Sequence, residues 1–201
     1  MMTVGLTGGF ASGKTTVAKM LKAKGARVLS ADEIVHAFLR YQTACARKIV
    51  RVFGKGILVG GRIDRRRLGN IVFNDPVQRR TLERIIHPEV VREIRRQLVL
   101  SKKLNPKKVF VVEVPLLFEA GLEKNFDCTI TVIATRYQQI QRALQTRSLK
   151  RQEILHRIQA QLPLSVKRQM ADILIDNRGS LSYTRRQVSA IWRTLKKKIV
   201  K

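Results

Sequence analysis

Cysteine is nearly missing from this chain. Cys45 and Cys128 are the two present among 201 residues. They lie far apart, with no spacing suited to metal or redox chemistry, so a reducing, cytoplasmic setting is the expectation. Long apolar runs are missing too. None approaches the ~20 residues needed to span a bilayer, and no membrane partner is expected. The first apolar stretch runs straight into glycines and a lysine, which does not fit a signal peptide. Aromatic residues make up 5% of the chain, and no aromatic-rich strand offers a base-stacking platform. Acidic residues are scarce: 14 Asp and Glu stand against 41 Lys and Arg, a net charge of +27.

That excess admits three readings: a nucleic-acid partner, electrostatic steering of a polyanionic small substrate, or compositional bias. The basic residues are spread through RIDRRRLG, RRTLERI and the closing KKKIVK rather than confined to one tail. This spread favours bias together with an anionic substrate and ranks nucleic acid below both. The hydrophobic content of 44% is ordinary for a globular protein, so the charge does not signal disorder. The length suits one core with an inserted subdomain, as a monomer or small homo-oligomer.

What is present begins at the amino terminus. MTVGL reads as a buried strand, GGFASGK as a glycine turn, and TTVAKMLKAKG as a helix with Val17 and Leu21 inward and Gly25 as its stop. Gly8, Gly13, Lys14 and Thr15 satisfy G-x-x-x-x-G-K-[ST] in the strand–turn–helix setting that this motif requires. Such a loop points backbone N–H groups and a helix N-terminus at phosphates. Lys14 can reach the outer phosphates, and the Thr15 hydroxyl can ligate Mg²⁺. The bland alternative is a plain glycine turn.

Five strands are expected, at 2–7, 27–30, 109–114, 128–134 and 172–176, with helical patterns between them. Their continuous β-branched character predicts a doubly wound α/β fold around a five-stranded parallel sheet, with ligand at the strands' carboxyl ends. Residues 1–35 and 105–201 would form the P-loop core. Residues 36–104 would be a helical insertion, broken at GKGILVGGRID, NDP and HPE. A second, arginine-rich excursion at about 136–162 is a candidate lid.

Asp32 follows the second strand, where a carboxylate can accept a hydroxyl proton. Capping a helix that starts at Glu33 or Ile34 is an equal alternative. Glu113 ends the third long strand and is a candidate for holding Mg²⁺ directly or through water. For Glu119, pairing with a nearby helix or lysine is the preferred reading. Arg142 and Arg147 are candidates to close over a triphosphate and neutralise developing charge. His87 before Pro88 reads as structural, with Pro88 at the first position of a helix.

Taken together, GLTGGFASGKTTVA, SADEIVH, GRIDRRRLGNIVFND, HPEV, VPLLFEAGLE, the arginine excursion and ADILIDNRGS resemble the dephospho-coenzyme A kinase family in order, from about residue 2 to residue 192. The resemblance implies ATP-dependent phosphorylation of the ribose 3′-hydroxyl of dephospho-coenzyme A, with Mg²⁺ and with ATP as co-substrate. It implies that Gly8, Gly9, Phe10, Ala11, Ser12, Gly13, Lys14, Thr15 and Thr16 cradle the ATP phosphates, with Lys14 on the transferred group. Asp32 would activate the acceptor hydroxyl. Asp64, Arg65, Leu68 and His87 would belong to a coenzyme A-binding insertion, and Leu116, Leu117 and Glu119 would border the acceptor. Arg142 and Arg147 would form the lid, and Asn177 would lie near adenine.

Two departures stand out. The family usually reads Asp-Ala-Asp after the second strand, where this chain has Ser30-Ala31-Asp32. Phe10 and Ala11 replace the usual Ile-Gly, and Ala11 predicts a loop with ordinary φ at that position. A nucleoside or nucleotide kinase and a basic, nucleic-acid-binding P-loop protein remain as alternatives. PLLFE together with IDRRRLG speaks against the first.

Overall fold

The computed structural model describes residues 1–40, 43–146 and 149–200. The chain divides into two compact units, one of residues 1–30 and 98–201 and one of residues 31–97.

The larger unit is built on β1 (Met2–Gly8), β2 (Arg27–Ser30), β5 (Val109–Glu113), β6 (Cys128–Ile133) and β7 (Ile173–Asp176), which form one sheet in the order β2-β5-β1-β6-β7. All four pairings are parallel. β1, β5 and β6 are buried at every position, as apolar runs without alternation predict for a sheet covered on both faces. Val4, Leu6, Val111, Ile130, Val132 and Ile175 pack with Val17 and Leu21 of α1 (Lys14–Ala23) and Val188 and Leu195 of α9 (Leu181–Val200). Helix α1 stops where expected, and Gly25 takes a φ of 102° just beyond it.

Register is fixed by one device used twice. Asp127, immediately before β6, accepts from the Thr3 N–H and hydroxyl, each at 2.7 Å. Asp172, immediately before β7, accepts from the Thr129 N–H at 2.7 Å and hydroxyl at 2.8 Å. The Thr129 donors hold the Asp172 carboxyl below its ordinary value. Each aspartate therefore pins the start of its own strand to the neighbouring strand.

On the other face Gly5 meets Leu117 and Phe126, and the Thr131 hydroxyl donates to the Lys167 carbonyl of α8 (Leu164–Met170), while α6 (Arg136–Thr146) and α7 (Arg151–Gln159) pack together with Phe10. Both cysteines are buried and unpaired, and burial pushes the Cys128 thiol up to about 11. This excludes it as a thiolate nucleophile near neutral pH.

The second unit holds α2 (Ala31–Arg40), α3 (Ala44–Phe53), the hairpin of β3 (Leu58–Val59) and β4 (Arg62–Ile63), α4 (Arg65–Asn74) and most of α5 (Pro76–Leu104). The helices do break at GKGILVGGRID, and the break is an ordered antiparallel hairpin: Gly60 and Gly61 both take positive φ, the backbone a tight two-residue turn demands. One expectation needs correction: HPE neither breaks nor starts a helix, because Pro88 lies inside the continuous α5. Proline removes one N–H from the helical ladder, but the long runs on each side carry the helix through.

Candidate active site

The strand–loop–helix at the amino terminus delivers the phosphate-binding loop to the carboxyl edge of the sheet. Gly8 and Gly13 are required by shape. Gly8 has a φ of 150° and its hydrogen faces the Val132 carbonyl, while Gly13 has a φ of 97° and lies against the Asn177 amide; a Cβ has no room at either position. Ala11 corrects an expectation. It adopts φ 52° and is the one non-glycine residue with positive φ among the described residues. The loop keeps the backbone path that glycine would favour, and alanine carries the strain.

Inside the loop, the Lys14 ammonium donates to the carbonyls of Gly9 at 2.9 Å and Gly8 at 3.3 Å, folded back along the chain. The Ser12 hydroxyl is fully buried and lacks a hydrogen-bond partner among the described residues. Thr15 and Thr16, on the first turn of α1, are exposed. The Thr15 hydroxyl donates to Glu113 Oε1 at 2.8 Å. Glu113 is buried at the end of β5, in register with Leu6 on one side and Ser30 on the other. Ser30, standing where the usual first acid would be, is therefore a direct strand neighbour of Glu113.

A polar clamp supports the loop from behind. Arg142 of α6 donates to the Ser12 carbonyl at 3.3 Å and the Asn177 carbonyl at 2.9 Å. The Asn177 amide donates to the same Ser12 carbonyl at 2.8 Å and accepts from the Thr184 hydroxyl at 2.8 Å. Both residues are thus engaged in holding the loop rather than turned out toward a ligand. Arg147, the other candidate lid arginine, lies outside the described residues. Phe10 is buried with Ile140, Ala143 and Ile154, so α6 and α7 pack directly on the loop, and the Arg157 guanidinium sits 5.8 Å over the Phe10 ring.

The PLLFE segment is fixed by a residue that the sequence did not single out. Lys167 is fully buried on α8 and bonds both the Pro115 carbonyl at 2.9 Å and Glu119 Oε1 at 2.8 Å. The Thr7 hydroxyl reaches the same Pro115 carbonyl at 3.2 Å. Of the two leucines, Leu117 is wholly enclosed against Gly5, while Leu116 keeps some surface. In KRQMADIL, Lys167 looks like one more solvated base, and nothing in its helical spacing marks it as the partner of Glu119.

Asp32, expected in the core, is exposed on the first turn of α2, which begins at Ala31 and opens the helical unit. It is therefore inside the helix rather than capping a start at Glu33 or Ile34. Asp64 caps α4, its Oδ1 accepting from the Arg67 N–H at 2.8 Å. Arg65 is exposed beside it, and Leu68 is buried. His87 is exposed and lines a shallow depression with Arg80, Glu83, Arg84 and Pro88. No cluster of three or more His, Cys, Asp or Glu side chains is placed to hold a metal among the described residues.

Residues 2–182 match the dephospho-CoA kinase family. The chain belongs to that family. A dephospho-CoA kinase of Symbiobacterium thermophilum is 44% identical, covering 96% of this chain and 81% of that one. One from Geobacillus kaustophilus is 41% identical over 98% and 99%. Among solved structures, a dephospho-CoA kinase from Campylobacter jejuni superposes with a TM-score of 0.74 at 29% identity, covering 98% of both chains. A Thermus thermophilus protein reaches a TM-score of 0.79 at 35% identity, covering 96% and 97%.

Proposed function

We propose that this kinase transfers the γ-phosphoryl group of ATP to the ribose 3′-hydroxyl of dephospho-coenzyme A, giving coenzyme A and ADP in the cytoplasm. The observation that carries the chemistry is the Thr15–Glu113 hydrogen bond of 2.8 Å beside a complete phosphate-binding loop. The loop amides and α1 bind the phosphates, the buried Ser12 hydroxyl offers a spare donor, and Lys14 exchanges its two loop carbonyls for phosphate oxygens.

Thr15 and Glu113 offer hard oxygen ligands, the set that suits Mg²⁺, which needs few protein ligands when phosphates supply the rest. When bound, the ion neutralises charge between the outer phosphates. Asp32 accepts the proton leaving the acceptor hydroxyl as the new P–O bond forms, and the bridging oxygen departs with ADP. The helical unit supplies coenzyme A contacts through Arg65, His87 and the Asp64-capped helix, and Leu116 is a further acceptor contact. Arg142 and Asn177 act by holding the loop, and Arg147 closes over the triphosphate.

The test is ADP release measured in parallel with dephospho-coenzyme A, nucleoside monophosphates and RNA. Turnover with dephospho-coenzyme A alone is expected, and its absence overturns the reading. Asp32→Asn is expected to lose most turnover while ATP binding stays nearly intact; full activity in that variant removes Asp32 as the base.

A further inference from the structure

The proposed transfer uses the carboxyl edge of the sheet and leaves the opposite edge unexplained. The last turn and a half of α5 exposes Val99 by 57%, Leu100 by 38% and Leu104 by 71%. Ser101, between them, is buried, so the helix shows the core its polar residue and solvent its aliphatic ones. Leu100 and Leu104 are four residues apart and share a face, as do Val99 and Lys103. Lys102 and Lys103 lie in the same turns, Lys107 and Lys108 follow the helix, all four are exposed, and no acidic residue occurs from residue 94 to residue 112.

The fold adds charge to this corner from distant parts of the sequence. Lys108 leads into β5, and because the sheet is wholly parallel, every strand starts at this edge. Helices α1 and α9 return to it, with Gly25 just past α1 facing Trp192 of α9. They bring Lys22, Lys196 and Lys197, all exposed. The aspartates at the strand starts, Asp127 and Asp172, are occupied by Thr3 and Thr129.

We propose that this amino edge is a docking surface for an anionic lipid bilayer, on which the kinase rests peripherally. Lysines are drawn to acidic headgroups, and the three aliphatic side chains enter the headgroup boundary. The aliphatic residues decide between partners. A nucleic-acid backbone has nothing to receive them, and a second copy of the chain would set lysine against lysine. Among the described residues no helix is long and apolar enough to cross a membrane, so the contact is with the surface only. The phosphate-binding loop, at the other edge of the same sheet, stays open to substrates.

The experiment is co-sedimentation of the full chain with vesicles of phosphatidylcholine alone or with ~30% phosphatidylglycerol. Binding is expected to the acidic vesicles and not to the neutral ones. Lys102→Glu, Lys103→Glu, Lys107→Glu and Lys108→Glu together are expected to weaken it by ~10²–10³-fold, at about fivefold per lysine. Leu100→Ser with Leu104→Ser is expected to weaken it about tenfold at unchanged charge. A control reversing Arg51, Lys55, Arg62 and Arg66 is expected to retain binding. Both edge variants are expected to keep the turnover of the parent chain.

Equal loss in the control would assign any binding to net charge and overturn the proposal. So would failure to bind acidic vesicles, or full binding by the leucine variant. Retention of a duplex RNA in place of vesicles, or an oligomer that the leucine variant dissociates, would overturn it in favour of another partner.

Discussion

The Thr15 hydroxyl and the Glu113 carboxylate, 98 positions apart in sequence, meet at 2.8 Å where β5 ends beside the phosphate-binding loop. Glu113 is buried between β1 and β2, so its position is set by the sheet rather than by a loop. A threonine that can ligate a cation is thereby oriented by a carboxylate on rigid backbone.

Glu113→Gln keeps an oxygen for the Thr15 hydroxyl and removes the charge. The variant is expected to fold like the parent and to need ~10–100-fold more Mg²⁺ for half-maximal turnover, the usual cost of altering a metal-orienting partner. A magnesium titration of ADP release checks this. An unchanged midpoint would make the pair a structural hydrogen bond only.

Arg142 bridges two carbonyls, those of Ser12 and Asn177, with two nitrogens of one planar group. Lysine keeps the charge but cannot span both acceptors. Arg142→Lys is expected to raise the KM for ATP by about tenfold through a loosened loop, with a smaller change in kcat. A kcat loss at unchanged KM would instead place the guanidinium on the transferring phosphoryl group.

Ala11 holds φ 52°, a conformation that costs an L-residue ~1–2 kcal/mol. Ala11→Gly removes that strain and returns part of it as unfolded-state entropy. The net gain is expected to be about 0.5–1 kcal/mol, read as a melting temperature higher by ~1–4 °C for a chain of this size. A lower melting temperature would show that Phe10 packing against α6 and α7 needs the alanine.

Much of this was legible in the sequence, for definite reasons. A buried parallel strand has to be apolar along its whole length, so β1, β5 and β6 stood out as continuous runs, while the edge strands β2 and β7, only partly buried, showed as shorter apolar stretches. The loop was legible because Gly8 and Gly13 leave no room for a Cβ, and Lys14 and Thr15 complete the motif at the required spacing. The hairpin at 58–63 was missed because two-residue strands are too short to show a period, although its paired glycines were a turn signal. Pro88 misled because a proline's local preference yields to a helix continuing on both sides. The positive φ of Ala11 was illegible because alanine avoids that region, and only the path between Gly8 and Gly13 imposes it. The lysines at the amino edge looked dispersed because distance along the chain says nothing of distance across a sheet.

Lys167 and Glu119 are a pair that spacing could not reveal, an enclosed ammonium meeting a carboxylate at the surface. The ammonium is fully enclosed and bonds Glu119 and the Pro115 carbonyl, while Glu119 also accepts from the Leu162 N–H at 2.9 Å. Lys167→Met replaces the stem but removes the charged donor from a carboxylate and a carbonyl, which keep the Leu162 N–H and the Thr7 hydroxyl. Losing an enclosed charged donor whose acceptors keep a second partner costs about 1–3 kcal/mol, a fall of ~2–12 °C in melting temperature for a chain of this length. Because PLLFE is tied down by this contact, the KM for dephospho-coenzyme A is expected to rise more than the KM for ATP. Glu119→Gln in the parent chain, which still accepts from the ammonium, is expected to retain most of the stability and of the KM ratio. A loss of stability that leaves the two KM values in their parental ratio would limit the pair to a structural role.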